Sequence, residues 1–503
     1  MKKIILAISV IALCVAANAA SAATKDTLVV GFQYDAESLD PHVTTDIGSQ
    51  NIMVQVYDPL MKADSDGNLK PHLAEKVEKI DDLTYKFTLR KNVKFHNGET
   101  LRASDVKFTF LRAINEGANI NYVVSNIDPD GIQVIDDDTI IIKIKQPDAT
   151  FLAYMAHVGG ACILNEKAVR EAGADYGTKP VGTGPYKFES WVKGDRITLV
   201  RNDDYWGQKA HVKNVVVRAI TEATNRTIEL ETGGIDIGFS ILPLDLKRIE
   251  DDPSLTLLRN KDTSVYTIGM NIERPALNDI RVRQAISLAI DSAALNKVVY
   301  RGVGYVGRTV IPMSLPFYDE TAPEHEYDPE KAKKLLAEAG YEKGLKLVLV
   351  SNENKERIDT MTIAQSMLKN VGIESEIKVI EWGVYLDELV NGNYDLCSGG
   401  WSCSIFDPDE AVYGAYHSSE IGAGYNWVRL RDPEVDRLLE AGRTTLDEAE
   451  RASIYKDVQK RINDQYVVII TNSGEELIAM RSNVKGLQPS PLALFDLALV
   501  SIE

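Results

Sequence analysis

The sequence predicts an α/β protein with more than one domain, and three observations lead to this prediction. From residue 264 onward, strand patterns alternate with amphipathic helix patterns, which is typical of α/β domains. The chain has 503 residues, which is too long for a single hydrophobic core and indicates two or three domains. The first third of the chain has mainly strand patterns, so we expect a sheet-rich mixed region there.

The N-terminal segment has the pattern of a secretory signal peptide. A basic start at Met1–Lys3 precedes the apolar run Ile4–Ala16, and small-x-small cleavage sites lie within residues 17–22. The apolar run is too short for a transmembrane helix. Cys14 follows a leucine, whereas a lipid-modified cysteine would follow a small residue. We therefore expect residues 1–22 to be removed and the protein to reach the periplasm without a lipid anchor.

The charge and the cysteine content narrow the class of protein. A formal charge of −18 argues against nucleic acid or an anionic membrane surface as the partner. Loss of the signal peptide removes Lys2 and Lys3 and no acid, which changes the charge from −18 to −20.

Three cysteines would remain, at positions 162, 397 and 403. Their odd number leaves at least one free thiol or an intermolecular bond, and pairing of Cys397 with Cys403 stays open.

Before residue 264 the patterns favour strands and loops. Thr27–Phe32 is a predicted strand, and Tyr34 lies in the loop that follows it. Val181–Phe188 contains two glycines and a proline around Thr183, which favours an extended segment with accessible backbone amides. The other predicted elements are strands at 83–89, 139–144 and 197–200, helical spacing at 52–56, and a helix through Val106 and Phe110 that Ser104 would cap.

After residue 264, strands and helices alternate. Ser264–Met270 is a predicted strand, and the helix after Asp279 carries an apolar stripe. Pro329 begins another helix, which Gly340 ends. The remaining predicted elements are strands at 345–350, 373–380 and 467–470 and helices at 359–370, 433–441 and 447–465. The tail, residues 482–503, is too short for a domain, so we expect it to pack on the first one.

The stretch Asn393–Pro408 is the strongest candidate for a ligand contact. Tyr394–Cys397 is predicted to end a short buried strand, because the glycines at 399 and 400 favour a tight exit. Trp401 and several polar side chains would then lie on a loop at the carboxyl end of that strand. Open α/β sheets bind ligands at this edge. The alternative is a strand, a turn and a structural tryptophan.

Motifs of several enzyme classes are absent from the sequence. There is no G-x-S-x-G elbow, no H-E-x-x-H and no phosphate-binding loop. The seven histidines are scattered without metal-ligand spacing. Gly302–Gly307 has the spacing of a dinucleotide fingerprint but follows a helix pattern, which argues against that motif. We therefore expect no cofactor, and binding is a simpler hypothesis than catalysis.

Many short motifs occur in one order along the chain, and together they resemble those of family 5 of the bacterial extracellular solute-binding proteins. Members of that family serve ABC importers of dipeptides, oligopeptides, nickel and related solutes. The shared motifs are Leu39–Pro41, Tyr85–Arg90, Val93–Gly98, Ala103–Val106, Gly182–Tyr186, Asn202–Gly207, Asp279–Ala285, Ala289–Asp291, Gly400–Trp401 and Asp407–Pro408.

The resemblance implies a two-lobed, periplasmic-binding-protein-like fold of type II, in its large three-subdomain form. Lobe I would comprise residues 24–44, 181–263 and 479–503, with an inserted subdomain at 45–180, and lobe II would comprise 264–478. The two lobes would close on a small-molecule solute, which is a shift of population rather than a chemical step. The closed form, which we expect to be a monomer, would then dock on the permease subunits of an ABC importer.

The resemblance also implies site residues. In peptide-binding relatives, an aspartate three residues after the loop tryptophan neutralises the ligand's α-amino group, and here that position is Ser404. Because burial of an ammonium without a countercharge is costly, we expect peptides with a free amino terminus to bind poorly. Arg357 lies near the position where relatives hold a ligand carboxylate. The full predicted set is Tyr34, Thr183, Arg357, Trp401, Cys403, Ser404 and Asp407.

Two other functions stay open at this point. The first is binding of nickel or another metal–chelate complex, because Cys403 and His417 follow Trp401 and suit a transition metal. Against it, Phe151–Leu164 contains no arginine, whereas nickel-binding relatives use one there to hold a chelator carboxylate. The second is a secreted peptidase-like enzyme, for which the sequence offers no motif.

Overall fold

The computed structural model describes residues 26–64, 67–422 and 424–503. The predicted signal peptide lies outside the described residues. The strands are β1 Thr27–Phe32, β2 Met61–Ala63, β3 Leu69–Pro71, β4 Ala74–Asp81, β5 Thr84–Leu89, β6 Gln133–Val134, β7 Thr139–Lys143, β8 Tyr186–Val192, β9 Arg196–Arg201, β10 Asn214–Ala219, β11 Ile237–Gly238, β12 Leu255–Met270, β13 Leu345–Asn352, β14 Ile373–Ile380, β15 Leu396–Ser402, β16 Val468–Arg481, β17 Val484–Lys485, β18 Gln488–Pro489, β19 Phe495–Asp496 and β20 Ser501–Ile502.

Helices alternate with these strands, and most begin at an aspartate or asparagine whose side chain accepts a backbone N–H of the first turn, as at Asp46, Asp279 and Asn354. The helices are α1 Ile47–Val56, α2 Ala103–Glu116, α3 Asn121–Val124, α4 Phe151–Tyr154, α5 Val158–Ala161, α6 Glu166–Ala172, α7 Ala223–Thr232, α8 Leu246–Glu250, α9 Ile280–Ala289, α10 Ser292–Val299, α11 Pro329–Glu338, α12 Lys355–Asn370, α13 Trp382–Asn391, α14 Pro408–Tyr416, α15 Pro433–Thr444 and α16 Glu448–Asp464.

A ten-stranded sheet runs through the molecule in the order β14-β13-β15-β12-β16-β11-β1-β10-β9-β8. Its centre is an antiparallel pair of long strands, β12 with 16 residues and β16 with 14. On one side of this pair β1 is parallel to β10 and β11, and on the other β13 is parallel to β14 and β15. The register between β12 and β16 shifts between Lys261 and Val265. The two central strands therefore join two sheet regions, and their own pairing is irregular between Lys261 and Val265.

Separate hydrophobic cores lie on the two sides of the β12–β16 pair. One packs β1 and β10 against α1 and the chain end, with Leu28, Phe32 and Phe495 buried in it. Another packs β13 and β15 against α9, α11 and α12, with Leu349 and Ile286 buried in it. This end of the chain packs on the first region, as the sequence predicted for the tail.

Residues 45–180 contain a second sheet, of order β4-β5-β7-β6, with α2 packed on it. The predicted cap of α2 was wrong, because the helix begins at Ala103 and Ser104 lies inside it. Asp105 instead turns back and accepts the backbone N–H of Arg102, over 3.0 Å. An aspartate at the third helical position thus stabilises this helix start.

The strand that carries Trp401 is longer than predicted. β15 does not end at Cys397 but continues through both glycines to Ser402, and Trp401 pairs with Val265 of β12. A Cβ at Gly399 would lie 3.0 Å from Thr267 Oγ1, and one at Gly400 would lie 3.1 Å from Tyr266 Cδ1. These glycines therefore make room for neighbouring side chains. The prediction that they end the strand was wrong.

All three cysteines of the described part of the chain are buried free thiols. Cys397 lies within β15 and Cys403 follows its end. Since an extended chain advances about 3.3 Å per residue, these two cysteines are too far apart for a disulfide. Across residues 26–64, 67–422 and 424–503, the structure has no helix with the length and apolarity that a membrane span requires.

Candidate ligand-binding cleft

A cleft of about 870 Å³ opens where β12 and β16 cross between the two sheet regions. One wall comes from the end of β1 and from residues 221–243, and the other from residues 299–303, 352–357 and 400–402. Its floor consists of Asp262, Asn472, Gly474, Glu475 and Glu476, all in the two central strands. A cavity of this volume suits a small organic ligand.

Trp401 lines the cleft from a strand rather than from the predicted loop. Its ring packs edge-on against Tyr425 at 4.8 Å between centroids. The aromatic lining also includes Tyr266 and Tyr300, whose centroids are 5.7 Å apart, and Trp382. These rings offer flat apolar surface to a ligand.

Arg357 lies in the first turn of α12 and also lines the cleft. Its guanidinium donates to Asn352 Oδ1 over 3.3 Å and lies 5.6 Å from the Trp382 ring centroid. Within the described residues, no carboxylate forms an ion pair with Arg357. An unpaired guanidinium in a cleft can bind a ligand carboxylate through two parallel hydrogen bonds.

Tyr34 lies at the rim of the cleft. It follows Gln33, a lining residue, and its side chain is 52% exposed. The ring makes an edge contact with Phe32, 6.1 Å between centroids. The structure thus places Tyr34 beside the lining residue Gln33 but not in the cleft lining itself.

Thr183 lies away from the cleft lining. It is fully buried, and its hydroxyl donates to Asp58 Oδ2 over 2.8 Å. Asp58 also accepts hydrogen bonds from Tyr205 and Trp206 and contacts His72 Nε2 at 2.7 Å. Burial would raise the pKa of Asp58, but His72 and the hydrogen bonds lower it to about 2. Thr183 therefore stabilises a buried polar centre in the first sheet region.

Cys403 and Asp407 also lie outside the cleft lining. The backbone of Cys403 pairs with the Thr263 hydroxyl, and burial raises the pKa of its thiol. Asp407 caps α14 and forms a two-pronged ion pair with Arg451, with both N–O distances 2.7 Å. Since the Cys403 thiol is buried and Asp407 is already paired with Arg451, the structure gives no support to their predicted ligand contacts.

Ser404 has an acidic neighbour that the sequence argument missed. Glu410 accepts the Ser404 hydroxyl and backbone N–H, each over 2.7 Å, and the N–H of Ile405 over 2.9 Å. Burial raises the pKa of Glu410 to about 7, although these hydrogen bonds oppose it. No acid occurs between Trp401 and Asp407 in the sequence, but the first turn of α14 folds back onto the loop and brings Glu410 next to Ser404.

The cleft floor contains two further acids that no motif indicated. Asp262 lies in the irregular segment of β12, and Glu476 lies in β16. Both side chains line the cleft. The strand patterns predicted neither, because the irregular register between Lys261 and Val265 decides which side chains face the cleft.

The residues proposed for a metal do not form a metal centre. His417 Nδ1 pairs with Ser419 Oγ at 2.7 Å, and its ring stacks on Tyr413. In the described part of the chain, no group of three or more His, Cys, Asp and Glu side chains is placed to hold a metal ion. Among the described residues, Cys403 and His417 therefore belong to no candidate site for a bare metal ion.

Comparison with known proteins decides the family. The family described as bacterial extracellular solute-binding proteins, family 5 Middle, matches residues 68–423. The chain belongs to this family. A dipeptide-binding protein of Escherichia coli (strain K12) is 29% identical over 99% of this chain and 98% of its own length. The resemblance predicted from the sequence is thus confirmed.

Solved structures agree on the fold. The structure of HbpA2 from Haemophilus parasuis has a TM-score of 0.88 and 26% identity, over 95% of this chain and 100% of that one. The periplasmic binding protein DppA from Helicobacter pylori in complex with the peptide STSA has a TM-score of 0.79 and 27% identity, over 95% and 98%. The predicted two-lobed α/β fold is confirmed.

Proposed function

We propose that this protein captures a short peptide or peptide-like solute in the cleft and delivers it to an ABC importer. The observation that carries the proposal is the cleft of about 870 Å³ between the two sheet regions, with aromatic walls and the unpaired Arg357. The dipeptide-binding relative, aligned over almost the whole chain, supports a peptide as the ligand class. The protein acts by binding and release and needs no catalytic residue.

The roles of the lining residues follow from their chemistry. Arg357 binds the ligand's carboxylate. Trp401 and Trp382 contact its apolar surface, and Tyr34 contacts it from the opposite wall when the lobes close. This division places the charge recognition and most of the aromatic surface on the second wall of the cleft.

The proposed lobes are residues 24–44, 181–263 and 479–503 with the insert 45–180, and residues 264–478. Their boundaries at 263 and 478 fall in the two central strands, beside the register shift between Lys261 and Val265. A hinge absorbs its backbone rotation in a few residues, and an irregular segment is suited to that. Ligand contacts from both walls then favour the closed form.

The setting of the function follows from the N-terminal pattern and from the family. Residues 1–22 direct export, and the mature protein works outside the cytoplasmic membrane as a monomer. Its macromolecular partner is the permease of an ABC importer, and it binds no nucleic acid. The net charge of −18 agrees with the last statement.

The test is calorimetry with a defined mixture of short peptides, after native mass spectrometry has identified the components that the protein retains. We expect micromolar or tighter binding, and at least a tenfold loss when the ligand's carboxylate is amidated or when Arg357→Gln is made. Lys355→Gln is the matched control, because that nearby cation is exposed and already paired with Asp359 at 2.7 Å. If no peptide is retained, the proposed ligand class is wrong.

A further inference from the structure

We propose that Asp262 and Glu476, on the floor of the cleft, bind the positively charged ammonium group of the ligand. The inference rests on the proposed function, since it concerns the same cleft, and it specifies which end of a peptide lies on the central strands. It also replaces the position after Trp401 as the place where an ammonium is neutralised.

The backbone makes room for the carboxylate of Asp262. A Cβ on Gly474 would lie 2.1 Å from Asp262 Oδ1 and 2.7 Å from Oδ2, so only glycine fits opposite this acid. Oδ1 accepts the backbone N–H of Ser264 over 2.7 Å. The Ser264 hydroxyl is in turn 2.7 Å from that of Ser402, next to Trp401. The acid is thus held in a defined place at the edge of the cleft.

Both carboxylates lack a protein countercharge. In the described part of the chain, no lysine, arginine or histidine forms an ion pair with Asp262 or Glu476. Their neighbour Lys261 is exposed, and its ammonium lies 4.8 Å from the ring centroid of Tyr305. A cation from the ligand is therefore the group that would complete this site.

Glu475 is an internal comparison one residue away. It also lines the cleft, but Arg259 pairs with it at 2.6 Å, and the Tyr305 hydroxyl and Gly304 N–H donate to it over 3.2 and 3.1 Å. The same pair of strands thus neutralises one acid completely and leaves two others without a cation.

The electrostatics of the ligand-free cleft agree with this assignment. Burial, with a smaller contribution from the nearby charge of Asp262, raises the pKa of Glu476 to about 8. Burial also raises the pKa of Asp262, with a smaller effect from Glu475. A bound ammonium would favour the ionised carboxylates, because opposite charges in a poorly solvated site attract strongly.

Recognition of both termini would define the ligand class. Arg357 on one wall attracts a carboxylate, and the two floor acids attract an ammonium. A ligand with both groups, such as a short unmodified peptide, satisfies both sites at once. The expectation from the sequence that peptides with a free amino terminus bind poorly is the opposite of this inference.

The experiment compares a defined mixture of free dipeptides with the same mixture after N-acetylation, by native mass spectrometry and then calorimetry on the tightest component. We expect acetylation to weaken binding at least tenfold. Glu476→Gln and Asp262→Asn should each weaken binding of the free dipeptide at least tenfold and change that of the acetylated one by less than twofold. Glu250→Gln is the matched control, because it removes an exposed acid that lies outside the cleft lining.

The possible outcomes of this experiment distinguish failure of the ammonium site from failure of the proposed peptide ligand. Equal affinities for free and acetylated dipeptides, or unchanged binding by both floor variants, would overturn the ammonium site while peptide binding stands. If neither mixture contains a ligand, the peptide assignment fails and the ammonium site fails with it. Binding of the acetylated dipeptide by the variants, together with a cooperative melting transition no lower than that of the wild type, shows that they are folded.

Discussion

Two groups of acids near Trp401, one buried and one partly exposed, differ in their partners. At the start of α14, Asp407 is paired with Arg451 and Asp409 with Arg443, each at 2.7 Å. On the cleft floor, Asp262 and Glu476 have no such partner in the described residues. A buried carboxylate with a bound arginine stabilises the fold, whereas one without a cation can accept a charge from a ligand. The difference in pairing separates structural from ligand-binding acids better than position in the sequence does.

The largest expected effect comes from breaking a structural pair. Arg451→Met leaves the Asp407 carboxylate buried without its cation, so the free energy of unfolding should fall by about 3–5 kcal/mol. Denaturant titration measures it. Arg437→Met, which removes an exposed arginine paired with Glu434, is the control and should leave the transition unchanged. An equal effect of both changes would contradict the claim that the buried Asp407–Arg451 pair has a structural role that the exposed pair lacks.

The second effect concerns the wall of the cleft. Trp401→Ala should weaken ligand binding by about 2 kcal/mol, as at other buried aromatic contacts. Trp401→Phe keeps a flat ring at this position and should retain most of the affinity. Calorimetry on both variants separates the aromatic contact from damage to β15. Wild-type affinity in the alanine variant would make Trp401 a structural residue.

The third change, Glu476→Gln, should stabilise the ligand-free protein but weaken ligand binding. The pKa of Glu476 is about 8 in the folded protein and about 4.3 in the unfolded chain. Because the unfolded chain ionises more easily, the folded protein loses stability as the pH rises from about 4.3 toward about 8. Glu476→Gln should therefore raise the melting temperature of the ligand-free protein at pH 8 by about 2 °C or more, while it weakens binding. A lower melting temperature would mean that Glu476 has a structural partner.

The smallest effect is the pH dependence of affinity. Binding of a free dipeptide should strengthen from pH 6 toward pH 8 as Glu476 ionises, by less than tenfold per unit, and weaken above it as the ligand's amine loses its proton. An N-acetylated dipeptide should show little change, and Glu476→Gln should flatten the rise. The other charged or titratable groups around this floor are Asp262, Lys261, Tyr266, Glu475, Arg259, Tyr305 and Arg357.

Sequence reasoning predicted the fold better than the site. Strands such as Thr27–Phe32 and Ile373–Ile380 have the predicted bounds, because their β-branched patterns are local. Trp401 was indicated by the pattern of Asn393–Pro408 and Arg357 by the resemblance, and both line the cleft. The surroundings of Ser404 were missed, because Glu410 reaches it only after α14 folds back.

The floor acids could not be predicted for a different reason. Their position depends on the register shift between Lys261 and Val265 and on the space above Gly474, and both result from the pairing of strands about 200 residues apart. A separate tertiary contact brings Asp407, at the start of α14, to Arg451 of α16, so this candidate ligand contact forms an ion pair instead.

The most direct measurement follows the carboxyl of Glu476 itself. In protein labelled with ¹³C at the glutamate carboxyl, the signal lost in Glu476→Gln identifies this residue, and its chemical shift is followed against pH. We expect a pKa of about 8 without ligand and a clearly lower pKa with a bound free-amino dipeptide. A pKa that stays the same on binding of that dipeptide would contradict the claim that the unpaired acids of the floor hold the ligand's ammonium.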